Sequence, residues 1–109
     1  MKINEFLELT GAEVVNLADS DAEITGCHVG DLLSLVMSRA NEGDAWITVQ
    51  INVNVAAVSV LVDMACVVVA EGMQPDADLV KKAQMQGINL FKSEKSAYEL
   101  AKIIANAGV

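Results

Sequence analysis

Four polar side chains stand at alternate positions where one apolar stretch gives out: Thr48, Gln50, Asn52 and Asn54. Glu71 and Gly72 follow a second apolar run, and Lys92 and Ser93 follow a third. Amides, hydroxyls, one carboxylate and the helix N-termini converging there could hydrogen-bond a small polar ligand. Each residue also has an architectural use, Asn54 and Ser93 as helix caps and Glu71-Gly72 as a turn. Asp31 reads as another N-cap, with Ser34 three positions on. Trp46, inside a strand pattern, reads as a core or interface anchor.

Nothing comparable points to catalysis. The chain has no Gly-x-x-x-x-Gly-Lys-Ser/Thr loop, no Gly-x-Gly-x-x-Gly and no Gly-x-Ser-x-Gly. Its single histidine excludes any site built on two. Cys27 and His28 are adjacent, and neighbours on a strand point to opposite faces, so they would not chelate together. Cys27 is expected to be a small buried apolar residue, His28 partly exposed, and Cys66 inert packing within a strand. The expectation is no catalytic residue, no metal and no cofactor.

Elements must place those polar groups, and the composition allows them. The 109 residues fit one domain, and 53% hydrophobic against 20% charged residues is enough for a core. A net charge of −8 argues against nucleic acid, because no basic patch is available to displace phosphate counterions. The acids crowd into residues 1–42, an acidic face that keeps the protein in solution or docks a basic partner. The longest apolar stretch, Val55 to Ala70, is too short for a membrane span and contains Asp63. The opening Met1-Lys2-Ile3-Asn4-Glu5 is polar with no apolar run after it, which leads us to expect a reducing cytoplasm and free thiols.

Three strand patterns, 45–50, 65–70 and 88–91, each precede a helical pattern, predicting βαβαβα over residues 45–108. That is an α/β fold: a small domain with a mostly parallel sheet flanked by helices. The near-continuous apolar run at 65–70 suits a strand covered on both faces. In the helix from Pro75, acids occupy the first turn and Gly87 is placed to end it. The last helix is expected to start at Ser93 as its N-cap and to stop at Gly108. Residues 54–64 barely separate helix from strand, and their valines favour strand. Asn54 as a cap and the need for a crossover between parallel strands decide for helix. Being apolar almost all round, that helix is expected to bury a second side against another subunit. In the first third, a helix over 4–10 closed by Gly11, strands at 12–17 and 23–29, a turn at 19–21 and a helix over 32–40 are expected.

The stretches Val29-Gly30-Asp31-Leu32-Leu33-Ser34-Leu35-Val36-Met37, Ala45-Trp46-Ile47-Thr48-Val49-Gln50 and Asn54-Val55-Ala56-Ala57-Val58 resemble the DRTGG domain family. Val68-Val69-Ala70-Glu71-Gly72-Met73-Gln74-Pro75 and Gly87-Ile88 continue the match over nearly the whole chain, so residues 1–109 read as a single DRTGG-like α/β domain. The likeness is to the small stand-alone type, similar to the N-terminal part of HPr kinase/phosphorylase. Kinase activity in that enzyme belongs to a separate phosphate-loop domain and is not implied here. The resemblance implies a domain that elsewhere accompanies CBS regulatory pairs and some phosphotransacetylases, tends to pair as a homodimer, and in stand-alone form neighbours iron-only hydrogenase genes. The Asp-Arg-Thr element is replaced by Gln50-Ile51-Asn52-Val53-Asn54, and the Gly-Gly element survives only as Glu71-Gly72. No ligand role resting on that arginine carries over.

In open α/β sheets, ligands sit beyond the carboxyl ends of the strands. The expectation is therefore a non-catalytic regulatory or ligand-sensing homodimer, its ligand near Thr48, Gln50, Asn52, Asn54, Glu71 and Gly72. An adenine nucleotide is the analogy from the CBS companions. The alternative is a protein-binding accessory module for a redox or hydrogenase-type complex, with no small ligand.

Overall fold

The computed structural model describes all residues, 1–109. Ten elements follow in order: α1 (Ile3–Thr10), β1 (Glu13–Asn16), β2 (Gly26–Val29), α2 (Leu33–Arg39), β3 (Asp44–Thr48), α3 (Asn54–Val62), β4 (Cys66–Val69), α4 (Ala77–Gln86), β5 (Leu90–Lys92) and α5 (Ala97–Asn106). The strands form one sheet in the order β1-β5-β4-β3-β2. β2 to β5 are parallel neighbours in sequence order, and β1 runs antiparallel to β5. This is the α/β fold with a mostly parallel sheet that the strand–helix alternation predicts. No helix is long and apolar enough to cross a membrane.

Alternation along the central strands divides the core in two. Ala45, Ile47, Cys66, Val68 and Phe91 pack with Ile3 and Phe6 of α1 and Leu100 and Ile104 of α5. Trp46, Val67, Val69 and Leu90 face the other way, against Val36 of α2, Val55 and Val58 of α3, and Leu79 and Ala83 of α4. Both faces of the sheet are covered, which is why β3 and β4 have no exposed position. Trp46 is wholly buried, and its indole N–H donates to the Gly30 carbonyl at 2.9 Å.

Several local expectations are corrected by the bonds that form. α5 starts after Ser96, not Ser93, because Ser96 and Glu99 form a reciprocal capping box. α3 has Val53 at its N-cap, and it is Asn52 whose side chain accepts the Asn54 N–H. Asp31 does not cap α2: Leu32 holds that position without a side-chain bond, and the Asp31 carboxylate is used elsewhere. β5 begins at Leu90, since Ile88 closes the end of α4 through Ala83, with Gly87 left-handed at φ 69°. Cys27 is exposed rather than buried, because β2 is an edge strand. α3 is covered on its sheet-facing side and leaves Val60 at 50% and Leu61 at 70% exposure.

Cys27 and Cys66 flank Ala45 on the same sheet face, two strands apart. At ~4.8 Å per strand spacing they lie beyond disulfide reach. Burial pushes the Cys66 thiol up, and desolvation together with the Asp44 carboxylate raises Cys27 from 9.0 to about 11. The thiolate fraction of Cys27 near pH 8 is therefore ~100-fold below that of an ordinary thiol. The higher intrinsic nucleophilicity restores about tenfold. Native-state alkylation of Cys27 should run about tenfold slower than that of glutathione; an equal or faster rate by mass spectrometry would contradict this assignment.

Asp63 ends α3 in the left-handed region at φ 64°. An aspartate there carries backbone strain of about 1–2 kcal/mol and sets a negative charge at the negative end of a helix dipole. Asp63→Gly removes both, less the extra unfolded-state freedom of glycine. We expect a gain of about 1 kcal/mol, read as a rise of roughly 4 °C in thermal melting; a lower melting temperature would refute the strain argument.

Candidate functional site

The carboxyl ends of β3, β4 and β5 lie along one edge of the sheet, and each leads into a loop that its neighbours tie down. After β3, Thr48 donates its hydroxyl to Asp31 Oδ1 at 2.8 Å, and the Val49 N–H donates to the same oxygen at 2.8 Å. Gln50 Nε2 donates to the Asp31 carbonyl, Asn52 Nδ2 donates to Gln50 Oε1, and Asn52 Oδ1 accepts the Asn54 N–H. Thr48, Gln50, Asn52 and Asn54 are thus brought into one chain of hydrogen bonds whose anchor is Asp31. Much of their bonding capacity shapes the loop.

After β4 the chain reverses through Glu71 at φ 61° and Gly72 at φ 71°, closed by the Met73 N–H on the Ala70 carbonyl. Consecutive left-handed residues suit Gly72 and strain Glu71. The Glu71 and Gly72 N–H groups donate at 2.9 Å to the Lys95 and Ser93 carbonyls, so the β4 and β5 loops are zipped together. Asp76 N–H donates to the Ile51 carbonyl and links the β3 loop to the same assembly.

Between the zipped loops and the start of β1 opens a cavity of about 340 Å³. Its lining includes Gly72, Gln74, Lys92, Ser93, Glu94 and Lys95, with one hydrophobic residue among nine. Gly72 suits the turn through its backbone at φ 71°; a Cβ there would meet only the end of the Glu94 side chain, which can swing aside. Lys92 Nζ donates to Gln74 Oε1 at 2.6 Å and lies 3.5 Å from Glu13 Oε2. Glu13 reaches this edge because antiparallel β1 pairs it with Lys92. The Ser93 hydroxyl accepts the Lys95 N–H, and neither histidine nor cysteine lines the cavity. Two ammonium groups, the Glu13 and Glu94 carboxylates, an amide and a hydroxyl facing one space are binding chemistry. No group of three or more His, Cys, Asp or Glu side chains that could hold a metal ion occurs anywhere in the chain.

No family model matches the sequence. No curated protein matches it either. The fold, however, has a solved counterpart. It is similar to the regulatory region of Clostridium perfringens pyrophosphatase, comprising CBS and DRTGG domains, in complex with the activator diadenosine tetraphosphate. The TM-score is 0.70 at 14% identity, over 94% of this chain and 45% of that one. This chain therefore spans less than half the length of that region, and the likeness is one of fold. A region that carries CBS and DRTGG domains thus shares this chain's architecture.

Of the six residues singled out from sequence, Gly72 lines the cavity and Glu71 forms its turn, while Thr48, Gln50, Asn52 and Asn54 build the adjoining loop. Lys92 and Ser93, placed by sequence at the end of the third strand, both line it. Glu13, Gln74, Glu94 and Lys95 went unnoticed. Lys95 had a signal, two positions beyond Ser93 in the same loop; Glu13 had none, because only the pairing of β1 with β5 brings it there.

Proposed function

We propose that this chain is a non-catalytic regulatory domain that senses a small anionic ligand, an adenine nucleotide, at the carboxyl edge of its sheet. One observation carries the reading: the loops after β4 and β5 are zipped into a preformed polar cavity that presents Lys92 and Lys95. Its 340 Å³ lies at the small end of ligand sites, roughly 300–1,000 Å³, which suits a ligand of mononucleotide size. The nucleotide activator of the structurally similar pyrophosphatase region supports the choice of ligand class. Thr48, Gln50, Asn52 and Asn54 serve as the neighbouring wall, with Asn52 and Gln50 retaining amide hydrogens that a ligand can reach. Two free thiols fit a reducing, cytoplasmic setting.

The test is a thermal-shift panel of adenine and guanine nucleotides. A ligand at a hundred times its dissociation constant stabilises by about 2.7 kcal/mol, a shift of several degrees at this size. A flat panel across adenine nucleotides would remove the nucleotide reading.

The exposed apolar residues of α2 and α3, namely Leu35, Met37, Val60 and Leu61, favour a second surface role. In our reading they form the contact of a homodimer, and light scattering should give twice the chain mass. A monomer mass at every concentration would leave that surface for a different protein, as in an accessory module of a redox or hydrogenase-type complex.

A further inference from the structure

A second cavity, of about 380 Å³, opens at the opposite, amino edge of the sheet, where the chain enters β3, β4 and β5. Its lining contains four acids, Asp19, Glu23, Glu42 and Asp63, and no lysine, arginine or histidine. Glu23 is paired with the Met1 amine; the other three have no salt bridge. The C-terminal ends of α3 and α4 also line it, through Asp63 and through Gln86 and Gly87, so two helix dipoles present their negative ends to the same space.

Ser59 supplies an observation independent of the charges. It is only 3% exposed, lies on the cavity lining, and its hydroxyl makes no hydrogen bond within the chain. No side-chain oxygen or nitrogen that is sealed from solvent lacks a partner, so the Ser59 hydroxyl is not sealed and its free side opens on the cavity. A nearly buried hydroxyl with no partner in its own helix can accept from a donor that enters the cavity.

We propose that the amino-edge cavity binds a small organic cation, a polyamine or guanidino amine, whose ammonium or guanidinium groups meet Glu42 and Asp63 and donate to Ser59. The carboxylates do not converge as metal ligands would, and the volume suits an extended molecule with separated charges rather than a bare ion. A nucleotide would be repelled from this edge, whereas the carboxyl-edge cavity balances two lysines with two glutamates, and this site stands whether or not the carboxyl edge binds a nucleotide.

Calorimetric titration with spermidine and with agmatine at low ionic strength tests the proposal. One saturable site is expected. Glu42→Gln combined with Asp63→Asn should weaken it by about tenfold or more, and Ser59→Ala by about fivefold. The control is Asp76→Asn with Asp78→Asn, which removes the same charge from the start of α4 at the far edge and should leave affinity within about twofold. Melting curves confirm that each variant folds; asparagine is tolerated at the left-handed Asp63 position. Absence of saturable heat with either amine would overturn the site. An equal loss in the control pair would also overturn it, reducing the binding to diffuse attraction by a chain of net charge −8.

Discussion

Replacing Asn89 with alanine is expected to lower the unfolding free energy by about 3 kcal/mol, the largest single-residue loss outside the apolar core. Asn89 is 5% exposed and makes every bond its amide allows. Its Oδ1 accepts the Ala18 and Asp19 N–H groups at 2.8 and 2.9 Å, and its Nδ2 donates to the Asp19 and Ala65 carbonyls at 3.0 and 3.1 Å. Those four bonds fasten the segment after β1 to the point where β4 begins. Alanine strips the Ala18 and Asp19 N–H groups and the Ala65 carbonyl of these bonds and leaves the Asp19 carbonyl only the 3.4 Å bond from the Ala22 N–H, while water reaches only some of them through the amino-edge cavity. Urea denaturation should show the loss as a lower midpoint with an unchanged slope. A loss under 1 kcal/mol would mean that the staple is incidental.

Asn89→Asp sharpens the argument because shape is kept and one donor becomes an acceptor. An ionised carboxylate would face the Asp19 and Ala65 carbonyls, so the folded state would favour the protonated acid and raise its pKa above the unfolded value. Stability tied to that proton is present below the unfolded pKa of about 3.9 and lost as pH rises through the folded one. The deficit of Asn89→Asp relative to the parent should therefore be largest at neutral pH and shrink in acid. Asn89→Ala should show no such dependence.

The second large effect concerns binding. Lys92→Ala with Lys95→Ala is expected to weaken nucleotide binding by about 100-fold or more, taking each charge-assisted hydrogen bond as worth about 1.5–3 kcal/mol. Neither side chain belongs to the core, and Lys92 loses only its exposed bond to Gln74 and a surface ion pair with Glu13, so stability should change by less than about 1 kcal/mol. Lys95 is the cleaner of the two single variants, since its backbone carbonyl, not its side chain, holds the Glu71 N–H. Asn52 is a poorer probe, because it fixes the start of α3 as well as the wall beside the cavity. Unchanged affinity in the double lysine variant, measured by calorimetry, would move the ligand away from this cavity.

How much of this could be read from the sequence follows from which interactions are local. The βαβαβα order over residues 45–108 was legible because apolar runs, first-turn acids and Gly87 act within a few residues of one another. Helix α3 was legible only by topology, since its valines speak for strand and the crossover between β3 and β4 demands helix. Ser93 was a reasonable cap until Ser96 found Glu99, and Asp31 until the Thr48 hydroxyl and the Val49 N–H claimed its carboxylate. Cys27 looked buried because free cysteine usually packs as a small apolar side chain, and it is exposed because β2 lies at the edge. The edge of the sheet that could bind a ligand was foreseeable from strand direction. The cavity itself was not, because it depends on antiparallel β1 bringing Glu13 to Lys92 and on backbone bonds joining residues 71–72 to 93–95.

The most direct test of the proposed sensor is amide chemical-shift mapping of the ¹⁵N-labelled protein titrated with the strongest nucleotide from the panel. The account predicts saturable shifts confined to residues 70–76 and 92–96, with weaker ones in the β3 loop at 48–54. Shifts centred at the amino edge, on the exposed faces of α2 and α3, or nowhere at saturation would contradict it.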